Sequence, residues 1–213
     1  MSTIEKKSWG ATILRRLARE YPAAGIALEF RTPLQLLVAT ILSAQSTDRQ
    51  INKITRDLFR KYRSVGDYAR ADRAQFEEDI RSSGFFRNKA AAIIASARLI
   101  EERFGGKVPE TMDELLTLPG VARKTANIVL WHAFGKAEGI AVDTHVKRLA
   151  GKLGLSGETA PDKIERDLLQ VFPRRRWGEV NTLLIVHGRQ VCIARRPRCG
   201  DCVLADRCPS AET

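Results

Sequence analysis

Two sets of side chains have the type and spacing to do chemistry. One centres on Lys124, just past a proline–glycine break in Leu118-Pro119-Gly120-Val121-Ala122-Arg123-Lys124-Thr125-Ala126-Asn127. The other is four cysteines, Cys192, Cys199, Cys202 and Cys208, spaced C-x6-C-x2-C-x5-C within the last 22 residues. A lysine in the first turn of a helix sits against local preference, because the helix N-terminus is the positive end. A residue placed against preference marks a candidate for function. Four thiols this close together suit metal binding better than a disulfide framework, given that no secretion signal precedes them. Structural zinc usually joins two close pairs. Here one close pair is flanked by single cysteines, which leans toward a [4Fe–4S] cluster, although zinc stays open on spacing alone.

The elements that must position Lys124 follow from the neighbouring residues. Thr111-Met112-Asp113-Glu114 has the form of a capping box opening a short helix, with Leu115 and Leu116 facing inward. Pro119-Gly120 stops that helix. A second helix runs from Lys124 to Phe134 and closes at Gly135. Helix, tight hairpin and helix leave free N–H groups pointing one way, an arrangement that holds a phosphate. The bland alternative is a helical hairpin with a solvated lysine.

Charge fits such a partner. The net charge is +11 over 213 residues, with 44% hydrophobic and 29% charged residues. That balance describes a globular chain drawn to a polyanion, either nucleic acid or an anionic membrane surface. No apolar run is long enough to span a bilayer, and the N-terminus lacks a signal peptide's apolar core, so a cytoplasmic, nucleoid-associated protein is expected.

The rest of the pattern is helical. An amphipathic helix covers 8–20, with Trp9, Ile13, Leu14 and Leu17 on one face. Thr32-Pro33 opens a buried helix from Leu34 to Ser43. Gln45-Ser46-Thr47-Asp48 interrupts, and Thr47 with Gln50 can form a capping box for a helix to about Tyr62. Short and long helices follow at 73–82 and 90–104, joined through Gly84-Phe85-Phe86-Arg87-Asn88-Lys89. Two adjacent phenylalanines there either share the core or leave one exposed, where an apolar wedge between base steps is a known use. Asp143 stands at the N-cap position of a helix from Thr144 to about Leu153, and further helices cover 162–172 and 177–189. No strand pattern, repeat or low-complexity tract appears. The fold class is all-α.

Several of these segments carry a resemblance. The hairpin run resembles the helix-hairpin-helix motif of DNA-repair glycosylases, with Ala122 where the family usually has a second glycine. If φ there were positive, the alanine would cost about 1 kcal/mol. Leu42-Ser43-Ala44-Gln45-Ser46-Thr47-Asp48 resembles the family segment that inserts a glutamine into the duplex, and Phe85 falls at the position of the family's leucine wedge. Val142-Asp143-Thr144-His145 and the cysteine spacing match as well, so the chain is identified as similar to the endonuclease III family along nearly its whole length. The likeness implies a six-helix barrel domain at 26–136, with the helix-hairpin-helix at about 112–134. It also implies a second helical domain, 1–25 plus 137–213, carrying a [4Fe–4S] cluster on the four cysteines. A monomer acting on double-stranded DNA with damaged pyrimidines or abasic sites is expected, with no membrane partner.

What the likeness implies for chemistry turns on Lys124, which the related adenine glycosylases lack. An amine attacking C1′ forms an iminium whose electron sink permits β-elimination of the 3′ phosphate. That makes a bifunctional glycosylase and abasic-site lyase for oxidised pyrimidines. The amine must first lose a proton, yet an ordinary lysine pKa is about 10.4. A helix N-terminus contributes only about 0.3–1 kcal/mol, so burial beneath DNA has to supply most of the shift. Asp143 is then the positioned acceptor of that proton, steadying positive charge on the sugar. Gly120, Ala122 and Arg123 would grip phosphate. Thr144 and His145 would line the pocket, though a structural hydrogen bond is the ordinary reading of the histidine. The cluster would close a loop carrying Arg189, Arg195, Arg196 and Arg198, and Arg174-Arg175-Arg176 adds a weaker basic run. Rival readings are another base specificity, such as a mismatched thymine or uracil, a non-catalytic DNA-binding iron–sulfur protein, and a zinc protein.

Overall fold

The computed structural model describes residues 2–212, and among these every regular element is helical. The helices are α1 (Thr3–Glu20), α2 (Pro33–Leu42), α3 (Asp48–Lys61), α4 (Val65–Ala69), α5 (Arg73–Asp79), α6 (Phe86–Arg103), α7 (Met112–Leu116), α8 (Arg123–Phe134), α9 (Thr144–Lys152), α10 (Pro161–Val171) and α11 (Trp177–Gln190). The chain forms two compact units. One is continuous, Ile26–Lys136; the other joins the residues up to Gly25 with those from Ala137 onward.

The continuous unit is organised on α2, whose residues Leu36 to Leu42 are all buried. A helix apolar on every side can only be a core helix. It packs against α3, α6 and α8, while α6 covers α4 and α5, and α7 packs on α8. Thr32 caps α2, its side chain accepting from the Gln35 N–H, and Pro33 follows at the first position. Arg73–Asp79 ends three residues earlier than the pattern suggests, at Ile80, and Arg81–Ser83 continues as a 3-10 turn.

The other unit packs α1 on α10 and α11, and α9 on α10 and α11. Trp9 is 1% exposed, and its indole N–H donates to the Leu153 carbonyl at 2.9 Å, so the large buried ring keeps its donor satisfied. α1 begins five residues before the expected start. A capping box in which Ser2 accepts from the Glu5 N–H and Glu5 accepts from the Ser2 N–H explains the extension. No helix is long and apolar enough to cross a membrane among the described residues.

Candidate DNA-repair site and cluster loop

The hairpin between α7 and α8 is built on Gly120. Its φ of 77° lies in the left-handed region, and a Cβ there would come within 2.8 Å of the Ala92 Cβ. Both facts exclude a side chain. Ser96 of α6 donates its hydroxyl to the Pro119 carbonyl at 2.7 Å, tying the hairpin to its own unit. Ala122, at φ −95° and ψ 169°, is extended. Any residue adopts that conformation, so the feared cost of alanine does not arise. Leu115 is buried as expected, but Leu116 is 42% exposed; a five-residue helix presents only one of two adjacent leucines to its core.

α8 starts without a side-chain cap and without an acid in its first turn. Its leading N–H groups therefore keep the capacity to receive an anion. Arg123 and Lys124 occupy that turn, both exposed. α9 starts the opposite way: Asp143 is its N-cap, and Oδ1 accepts from the Val146 N–H at 2.8 Å. Thr144 is exposed and His145 half-buried. Burial lowers the His145 pKa, while the neighbouring Asp143 charge works in the other direction. The imidazole fits because residue 188 is glycine; a Cβ there would sit 3.0 Å from its Nδ1.

Gln45 and Phe85 share an unusual backbone. They are the only non-glycine residues with positive φ among those described, at 54° and 50°. Both side chains are exposed, Phe85 by 64%. Phe86 instead packs against the core of its unit, so the two rings part company. Thr47 caps α3 as expected, accepting from the Gln50 N–H, but the Gln50 amide donates to the Ser82 carbonyl at 3.4 Å instead of closing a capping box.

The four cysteines form no disulfide, are partly buried and are arranged around one hollow that His187 also lines. Yet among the described residues no three His, Cys, Asp or Glu side chains converge as a single metal ion would require. A hollow lined by all four thiols fits a cube whose irons each take one thiolate. Burial pushes the Cys192 and Cys202 thiols up. His187 bridges from the Tyr21 hydroxyl (2.9 Å) to the Cys202 Sγ (3.4 Å), the sort of outer contact that orients a ligand. Arg195 and Arg196 are exposed on this loop, whereas Arg198 donates to the Gln190 carbonyl. In the weaker basic run, Arg174 faces Glu138 at 3.5 Å and Arg176 pairs with Glu179 at 2.7 Å, which consumes much of its charge.

Comparison with known proteins agrees with this geometry. A sequence model of the HhH-GPD superfamily of base excision DNA repair proteins matches residues 38–174, and one of the iron–sulfur binding domain of endonuclease III matches 192–208. Endonuclease III of Synechocystis sp. is 54% identical over 97% of this chain and 94% of its own length. That of Escherichia coli K12 is 38% identical over 94% of each. The solved structure of a trapped endonuclease III–DNA covalent intermediate superposes with a TM-score of 0.91 at 38% identity, covering 99% of this chain and 97% of that one. With an open helix start behind a glycine hairpin and a four-cysteine loop matching at such identity, the chain belongs to the endonuclease III family: it is a base-excision-repair DNA glycosylase with abasic-site lyase activity and a [4Fe–4S] cluster.

Proposed function

We propose that this enzyme removes oxidised pyrimidines from duplex DNA, with Lys124 as nucleophile and Asp143 as its proton acceptor. The observation carrying this reading is the start of α8: an uncapped helix end behind Gly120 that bears an exposed amine where local preference asks for an acid. Exposure in the free chain means that a bound strand has to desolvate the amine. Once deprotonated, Nζ adds to C1′ as the glycosidic bond breaks and the base leaves with the bonding pair. Loss of the amine proton and cleavage of the C1′–O4′ bond, with O4′ taking up a proton as the sugar ring opens, then give the iminium. It acidifies C2′, and removal of the C2′ proton sends the electron pair into C2′–C3′, expels the 3′ phosphate and cuts the strand. The N–H groups at Ala122 and Arg123 would grip a phosphate. Gln45 would occupy the space of the extruded base and bond its orphaned partner, Phe85 would wedge between base steps, and Thr144 and His145 would line the pocket.

Cys192, Cys199, Cys202 and Cys208 would hold the cluster, which when bound closes the loop that offers Arg195 and Arg196 to phosphate. The enzyme is read as a monomer acting at the nucleoid. A panel of duplexes carrying thymine glycol, uracil, mismatched thymine or an abasic site, run with borohydride trapping, tests the assignment. Thymine glycol and the abasic site should trap best. Lys124→Gln should bind the duplex within about threefold of wild type and trap nothing; persistent trapping would remove Lys124 as nucleophile.

A further inference from the structure

Lys89 is the only lysine buried among the described residues, at 5% exposure, and the chemistry above does not use it. Its Nζ donates to two backbone carbonyls, Leu42 and Ser83, at 2.7 Å each. Leu42 is the last residue of α2, three positions before Gln45; Ser83 closes the 3-10 turn, two positions before Phe85. One ammonium thus caps the ends of two elements, and from each the chain runs directly into one of the two left-handed residues. A second, longer strap joins the same loops, from Gln50 beside the Gln45 turn to the Ser82 carbonyl.

The arrangement asks for more than capping. Both carbonyls belong to buried residues and need a donor, but a neutral one would serve without taking a charged group out of solvent. Burial lowers the lysine's pKa, and no opposing charge is among the causes of its shift. A shared donor achieves what separate waters do not: it fixes the separation of the two carbonyls at no more than twice one hydrogen-bond length. Left-handed backbone at non-glycine residues persists only where the surroundings over-determine it.

We propose that Lys89 is a positioning residue that locks the Gln45 and Phe85 loops to one another, so that both side chains enter the duplex as a single rigid unit. The proposal rests on the reading of Gln45 and Phe85 as the inserting pair. Its consequence is cooperativity: loosening the lock should weaken the insertion of both side chains together.

The test uses the cluster-loaded, full-length enzyme and a duplex in which 2-aminopurine stands opposite a tetrahydrofuran abasic analogue. The fluorescence of that orphaned base reports what is inserted beside it. It is read at saturating protein so that affinity does not enter. Lys89→Met should reduce the wild-type fluorescence change by about fivefold, and Gln45→Ala should then have almost no further effect, a non-additivity that a merely structural role would not produce. Lys89→Met with the full wild-type signal, or strictly additive effects, would overturn the coupling. If Lys89→Met fails to fold, Lys89→Gln, which keeps a neutral donor on a side chain one bond shorter and so loosens the shared grip, should lower the signal about twofold; no change would overturn the proposal. A wild-type signal that ignores Gln45→Ala would instead overturn the insertion reading, and the proposal with it.

Discussion

α8 and α9 each begin at a residue to which the proposed chemistry gives a role, and they begin in opposite ways. α9 obeys the rule for helix starts, with Asp143 turned onto its own Val146 N–H. α8 breaks it three times: alanine at the cap, no acid in the first turn, and two cations there. The difference shows how each residue is held. Asp143 is fixed by its capping bond, so that on the proposed reading stability and function ask the same thing of it. Lys124 is placed by the hairpin behind it, and its own helix would be better served by another residue.

That contrast is broken most completely by Lys124→Glu. An acid in the first turn should favour the helix by about 0.3–1 kcal/mol, so the melting temperature should hold or rise by a few degrees. Trapping and nicking should vanish, and duplex affinity should fall because a negative charge now faces the phosphate. A variant both inactive and less stable would show that Lys124 does structural work in the free chain. Asp143 separates the other way. Asparagine caps a helix about as well as aspartate, so Asp143→Asn should keep its melting temperature while abasic-site nicking falls by on the order of 10²–10³-fold. Asp143→Ala should lose activity similarly and also about 1 kcal/mol of stability, or 2–4 °C. An asparagine variant of full activity would reduce Asp143 to a cap.

The hairpin gives the next smaller effect. Gly120→Ala forces a left-handed alanine whose Cβ meets Ala92, so stability should drop by roughly 2–4 kcal/mol in thermal unfolding. Duplex affinity should fall about tenfold as the N–H groups it aims move. A variant as stable and as tight as wild type would mean that α8 is held by packing on α2 alone.

How much of this can be read from residues alone depends on the reach of the rule involved. Thr32-Pro33, Asp143 and Gly135 behave as their types and offsets suggest, because capping is a matter of three or four neighbours. Thr47 and Thr111 cap their helices without closing the expected boxes: the Gln50 amide goes to Ser82, and the Glu114 carboxylate accepts from the Thr111 hydroxyl. Two signals of the same kind escape a reading by apolar periodicity: the Ser2–Glu5 box that starts α1 early, and the Ser64–Asp67 box that makes Val65–Ala69 a helix. The left-handed turns at Gln45 and Phe85 carry no local mark, since neither residue type asks for positive φ. Lys89 is still less legible. Its partner Leu42 lies 47 positions away, and a lysine near the start of a helix looks like surface until the fold buries it. Local motifs reach as far as three or four neighbours, whereas the contact from Lys89 to Leu42 and Ser83 exists only once the helices have packed.

Ala122 offers the smallest and most pointed test, because it is where the hairpin departs from the family's usual glycine. At φ −95° and ψ 169° the backbone is extended, so restoring glycine relieves no strain. Glycine caps somewhat better than alanine, but it also frees the unfolded chain by about 0.4–1 kcal/mol, and the two effects oppose. Ala122→Gly should therefore change stability by no more than about 0.5 kcal/mol and duplex affinity by less than about twofold, read by thermal unfolding and by titration at fixed salt. A tenfold gain in affinity would show that glycine serves here by admitting the phosphate more closely, and that the start of α8 is less open than its backbone makes it.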